Sequence, residues 1–205
     1  GEWNRWFVKN ESFNWRWLGW VHPVMPALVW LPIALGSILW GVMAGSLSGL
    51  QFALFVVAAL LFWSLIEYIL HRCLFHPPES WKMLGRWAQA IHGKHHEKPD
   101  HPVFALVPPV NAAVILLSLM GVFSLMFYVL GVPLRNLAVF TGFFLLGYLT
   151  YEYLHLATHH RKPRTRLGQF LCQHHLRHHA QGRVGNYGVT SHLWDWLLGT
   201  WRRGA

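Results

Sequence analysis

Four stretches of this chain are long and apolar enough to cross a lipid bilayer, and they constrain the fold more than any other feature. They run from about Pro23 to Met43, Gly49 to Leu70, Pro109 to Leu130 and Leu134 to Leu154. A spanning helix needs roughly 20 such residues. Hydrocarbon leaves no water to satisfy backbone polar groups, so each stretch is expected to be a helix. The first and second are joined by "AGSLSG" and the third and fourth by "GVPLR". Links this short predict two hairpins. Only 12% of the residues are charged and 54% are hydrophobic, where a soluble domain carries about a quarter charged residues. The expectation is an all-α integral membrane protein.

Lysine and arginine orient these hairpins. If both short links face one side, then the segments 1–22, 71–108 and 155–205 share the other. Sixteen of the 17 basic side chains lie in those three segments, and only Arg135 lies in a link. The positive-inside rule makes that side cytoplasmic, in a bacterial inner membrane or the endoplasmic reticulum. The net charge of +9 then reads as topology and contact with anionic headgroups. Nucleic-acid binding would need a basic face on a soluble module, and none is visible. The opening "EWNRWFVKNESFNWRWLGW" sets five tryptophans among cations, the pattern of an interfacial anchor. The whole chain, 1–205, is read as one membrane domain, with an interfacial segment 1–22, a first hairpin 23–70, a segment 71–108, a second hairpin 109–154 and a C-terminal segment 155–205. Two cysteines, Cys73 and Cys172, are too few for a disulfide framework.

The 15 histidines almost all avoid the apolar spans and gather in the predicted cytoplasmic segments. A proton or metal transporter would place its ionisable groups inside the membrane. Four clusters stand out: "HRCLFH" (His71, His76), "IHGKHH" (His92, His95, His96), "EYLHLATHH" (His155, His159, His160) and "QHHLRHH" (His174, His175, His178, His179). Helical residues three or four apart share a face. His92/His95/His96, His155/His159 and His175/His178/His179 therefore each point together if helical. His71 and His76 are five apart, about 140° round an α-helix, and converge only if the helix ends or distorts between them.

So many imidazoles packed together without a metal would leave polar nitrogens needing partners. A structural zinc site takes four ligands, usually with cysteine; some ten imidazoles suffice instead for two metals with about five each. Imidazole suits Fe, Zn, Cu and Ni alike. A metal pair at the cytoplasmic leaflet is placed to act on an acyl chain rising from the bilayer, and unactivated C–H bonds require a redox metal. Two Fe ions with O₂ as co-substrate are the functional expectation, with Zn able to displace Fe during expression.

The motifs "EYILHRCLFH", "IHGKHHEKPD", "LVPPV", "YEYLHLATHH" and "HHLRHH…GNYGVTSHLWDWLLGT" resemble the fatty acid hydroxylase superfamily of membrane di-iron enzymes, most closely its fatty acid 2-hydroxylase branch. The resemblance runs from about His22 to Trp201. It implies four transmembrane helices under a cytosolic helical cap that holds a dimetal site. By position it implies ten metal ligands: His71, His76, His92, His95, His96, His155, His159, His175, His178 and His179. His160 and His174 are then neighbours of the ligands, and His22, His101 and His192 fit no cluster. Metal-bound imidazoles usually donate their second N–H to a carboxylate or carbonyl, for which Glu67, Glu152 and Asp100 are candidates. No protein acid or nucleophile beyond the ligands is required.

The implied activity is O₂-dependent hydroxylation of a membrane lipid's acyl chain at carbon 2, as in sphingolipids. A sterol, carotenoid or alkyl-glycerol oxidase, or a desaturase, would use the same centre. A non-catalytic metal-binding membrane protein is the alternative from another class. Relatives often carry a fused cytochrome b5-like domain; 205 residues leave no room for one, so electrons are expected from a separate donor, cytochrome b5-like, ferredoxin-like or a reductase. Ala180 stands where relatives often have an aromatic after the last histidine pair, which points to a different lipid pocket.

Overall fold

A computed structural model describes residues 22–101, 104–180 and 184–203, and all regular structure among them is helical. The long helices are α1 (Met25–Met43) and α2 (Gly49–Ile69), then, after the short α3 (Lys82–Ala88) and α4 (Lys94–Glu97), α5 (Pro109–Val129) and α6 (Leu134–His160). Two further helices follow, α7 (Arg166–Ala180) and α8 (Leu193–Leu197). Two π-helical segments, Leu70–Phe75 and Gln89–Gly93, follow α2 and α3 directly. Four helices are long and apolar enough to cross a membrane, as the sequence predicts. The tryptophan-rich opening, read above as an interfacial anchor, lies outside the described residues.

The residues group into two compact units. One holds α1, α2 as far as Trp63, α5, and α6 as far as Leu149. Here α6 is the central element: 61% of its apolar window is buried, against 22% for each of the other three. Phe123 packs edge-on against Phe140 and Phe144, and Trp63 against Phe144 and Tyr148. Close approach depends on small residues: a Cβ at Gly142 would stand 2.4 Å from Ile38 and 2.7 Å from the Ala34 carbonyl. The outward faces of α1, α2 and α5 expose Leu39, Leu54, Val57, Leu117 and Leu125. Apolar surface on this scale is matched by lipid rather than water.

The other unit holds residues 64–107 and 150–203 among those described, and with them every clustered histidine. α6 runs six residues past the Leu154 boundary expected from hydropathy, to His160. Hydropathy marks only where the apolar stretch ends. The helix itself continues to His160 and stops short of Lys162, which precedes Pro163 and so is disfavoured in α conformation.

Candidate metal centre

The distortion anticipated between His71 and His76 is a π turn. The His76 N–H donates to the His71 carbonyl at 3.1 Å, an i→i+5 bond that brings residues five apart onto one side. The second π segment ends at Gly93 and carries His92. Its Gly93 is packed so closely on Gln89 that a Cβ would lie 2.2 Å from that side chain.

All ten implied ligands are brought together, in two groups of five that could each hold a metal ion. His71, His76, His92, His96 and His178 form one; His95, His155, His159, His175 and His179 form the other, with donor atoms in each within 4.8 Å of one another. The division cuts across the sequence clusters. His92 and His96 go to the first group while His95 goes to the second, and His178 leaves His175 and His179 in the same way. Residues four apart stay together and the one between them crosses over. The expectation of one facing set holds for His155 and His159 and is corrected for the other two sets, which interleave.

Within the groups the Nε2 atoms converge. His71–His92, His92–His96 and His76–His96 are each 3.1 Å apart, His76–His178 3.0 Å and His96–His178 3.2 Å. In the second group His159–His175 and His175–His179 are both 3.1 Å. With metal–nitrogen bonds of about 2.1 Å, right-angle neighbours in a coordination sphere stand about 3.0 Å apart and tetrahedral ones about 3.4 Å. The observed spacing fits five donors around one ion, at right angles.

The outer nitrogens explain why the inner ones point inward. His71 Nδ1–H donates to the Tyr187 carbonyl, His178 Nδ1–H to that of Gly185 at 2.8 Å, and His155 Nδ1–H to that of Ala105 at 2.7 Å. A carbonyl only accepts, so these nitrogens carry the proton and each Nε2 offers a lone pair. His155 Nε2 and both ring nitrogens of His95 are buried without a hydrogen-bond partner, a costly arrangement that a metal ion taking the lone pair of each ring would relieve. Burial is the main reason that His92, His95 and His175 sit far below the ordinary imidazole value, and neighbouring imidazoles push the same way. They are neutral at pH 7, the form that ligates a metal. The donor set fits a dimetal centre.

The carboxylates act differently from expectation. Glu67 does not receive the second N–H of His71, which Tyr187 takes; it accepts from the backbone N–H of Val189 and from the N–H and hydroxyl of Thr190, at 2.8 and 2.6 Å. Glu152 likewise leaves His155 to Ala105 and accepts from the Val107 N–H. Backbone carbonyls from loops reach the imidazoles from outside, while both carboxylates hold loop N–H groups. Asp100 makes no hydrogen bond to a described residue and acts on His159 and His160 only through its charge.

The acid that sequence reasoning missed is Asp195, fully buried on α8. Its Oδ1 accepts from Tyr187 N–H (2.9 Å) and the Thr200 hydroxyl (2.7 Å), its Oδ2 from Gly188 N–H (2.8 Å) and His174 Nε2–H (3.0 Å). Burial alone would raise its pKa, yet these bonds together hold it below the usual carboxylate value. Asp195 and Glu67 thus fix the 185–190 loop from two sides, and that loop presents the carbonyls facing His178 and His71. The loop turns through two left-handed residues, Gly185 (φ 81) and Asn186 (φ 53). A Cβ on Gly185 would lie 2.5 Å from the Thr200 carbonyl. Asn186 is held there by reciprocal bonds to the Arg202 backbone. A lone aspartate within "HLWDWLL" was the signal available: a charge in so apolar a run has to be buried and satisfied. His174 belongs to Asp195, His101 stacks near Phe104 and His192 packs on Phe170, all outside both groups.

The sequence profile of fatty acid hydroxylases matches residues 56–200. The chain belongs to the fatty acid hydroxylase family. Among curated relatives of this hydroxylase, the dihydroceramide fatty acyl 2-hydroxylase FAH2 of Arabidopsis thaliana is 32% identical over 93% of this chain and 78% of its own length. The fatty acid 2-hydroxylase of Homo sapiens is 34% identical over 67% of this chain and 37% of its own. The ceramide very long chain fatty acid hydroxylase SCS7 of Saccharomyces cerevisiae is 34% identical over 89% of this chain and 45% of its own. The solved structure of full-length scs7p, of which only the hydroxylase domain is visible, superposes with a TM-score of 0.75 and 26% identity, covering 88% of this chain and 67% of that one. The hydroxylase is an enzyme, built as a multi-pass, all-helical membrane protein around histidine clusters.

Proposed function

We propose that this hydroxylase uses O₂ to insert one oxygen atom at carbon 2 of a membrane lipid's acyl chain, at a centre of two irons. His71, His76, His92, His96 and His178 would hold one, and His95, His155, His159, His175 and His179 the other. The observation that carries this reading is the pair of inward-facing five-imidazole groups, in which burial keeps His92, His95 and His175 neutral. Bound iron supplies the redox chemistry that an unactivated C–H bond requires and zinc lacks. The chain's own residues hold and orient. Tyr187, Gly185 and Ala105 fix the imidazole tautomers through their carbonyls, Glu67 and Asp195 fix the loop behind two of them, and the burial of His95, His155 and His175 keeps water from the donor atoms. No side chain is asked to act as acid or nucleophile. Electrons come from a cytochrome b5-like, ferredoxin-like or reductase donor. The bias of lysine and arginine puts the histidines on the cytoplasmic side.

Expression in a host without 2-hydroxy lipids, followed by mass spectrometry of hydrolysed acyl chains, tests the proposal. The expected product is an acyl chain heavier by one oxygen, with the hydroxyl at carbon 2. Loss of two hydrogens, an altered ring lipid, or no product from an iron-loaded and reduced preparation would overturn it.

A further inference from the structure

The C-terminal end of α6, the start of α7 and the segment between them enclose a cleft of about 870 Å³. Its inner wall is apolar, formed by Leu154, Ala157, Leu171 and the buried Val189. Arg161, Lys162 and Arg164 line it from the connecting segment, all three exposed. No carboxylate lies among its described lining residues, and none of the three cations makes an ion pair with a described residue. The chain has 17 lysines and arginines against eight acids, yet three adjacent cations on one cleft without a counter-charge call for an anion. The apolar wall calls for hydrocarbon beside it.

The wall adjoins the centre along the same two helices. Leu154 and Thr158 immediately precede His155 and His159 on α6, and Leu171 lies one turn before His175 on α7; those three histidines belong to one metal-binding group. We infer that this cleft binds the phosphate of an anionic phospholipid headgroup, with the lipid's acyl chain laid along the Leu154–Leu171 wall. Resting on the proposed function, this makes the substrate a phospholipid of net negative headgroup charge, recognised by charge at one end and apolar contact along the chain.

The test is native mass spectrometry of the full-length, metal-loaded hydroxylase in mild detergent, with phosphatidylglycerol or phosphatidylcholine added. The comparison is with Arg161→Gln/Lys162→Gln/Arg164→Gln, whose replaced side chains are exposed and leave packing intact. One phosphatidylglycerol should be retained per wild-type chain. Each cation near an anionic lipid is worth about fivefold, so the triple variant should bind on the order of a hundredfold more weakly. Arg86→Gln, outside the cleft, should bind as wild type does. Equal retention by the triple variant, equal binding of phosphatidylcholine, or displacement of the lipid by millimolar inorganic phosphate would each overturn the inference. Charge-dependent binding without any hydroxylated lipid in the host would uphold the cleft and sink the proposed reaction instead.

Discussion

Asp195→Asn should empty one metal site and spare the other. The substitution keeps the shape of the side chain but replaces one carboxylate oxygen with an amide NH₂. Four donors converge on the two oxygens of Asp195: Tyr187 N–H, Gly188 N–H, the Thr200 hydroxyl and His174 Nε2–H. Asparagine can accept from two of them, and its own N–H groups then face the other two. Hydrogen bonds to a buried charge are worth about 1.5–3 kcal/mol each. Breaking a buried charged network by one partner costs about 3–5 kcal/mol, a figure that two lost bonds reach. The loss falls on the 185–190 loop, whose carbonyls face His71 and His178. Loss of such outer contacts typically lowers metal affinity 10–100-fold. His155 of the other group leans on Ala105, which Asp195 does not touch. Metal analysis after dialysis against graded chelator should therefore show two metals per wild-type chain and one in Asp195→Asn, with helix content by circular dichroism unchanged. Two metals retained at wild-type affinity, or both lost together, would refute the reasoning.

Three further outcomes follow from the same geometry. His178→Ala and His179→Ala alter adjacent residues in different groups; under the same dialysis each should lose a different metal, which spectroscopy of the remaining ion would distinguish. Because folding lowers the pKa of Asp195, its contribution is fully present above the unfolded carboxylate value of about 3.9 and is lost as pH falls through the lower folded value. The thermal stability gap between wild type and Asp195→Asn should therefore be constant from neutral pH to about 4.5 and close below that. Gly142→Leu would force a side chain against Ile38 and the Ala34 carbonyl, and a loss of about 1–3 kcal/mol should appear as a lowered unfolding temperature in detergent, with metal content retained until the protein unfolds.

The four spans could be read from hydropathy because burial in lipid leaves an unbroken apolar run, and their starts agree with the helices to within about two residues. Which ten of the twelve clustered histidines gather was legible through the family resemblance, since helical spacing alone placed eight of them in three facing sets and left His71 and His76 apart. Their allocation was not. A spacing of four keeps His92 with His96 and His175 with His179, but whether the intervening His95 or His178 joins them depends on which side of the helix the second group lies, a tertiary fact. The supporting contacts were misread for a related reason. A carboxylate one turn from a histidine looks like its partner, yet Glu67 and Glu152 point across to loop amides distant in sequence. Backbone carbonyls, which do the orienting, leave no trace in residue identity.

The π turn at Leu70–Phe75 makes the length of that segment part of the site. His71 and His76 face one way only because one residue more than an α-helical turn would need is looped out between them. Arg72 and Cys73 are exposed, so replacing either side chain should leave the metals in place. Removing either codon is a different genetic event. The pair would then stand four apart and face together in a plain α-helix, but everything upstream on α2, Glu67 and Tyr68 included, would turn by about 100° relative to the loop it holds. In this stretch the gene should tolerate many spellings and no change of length.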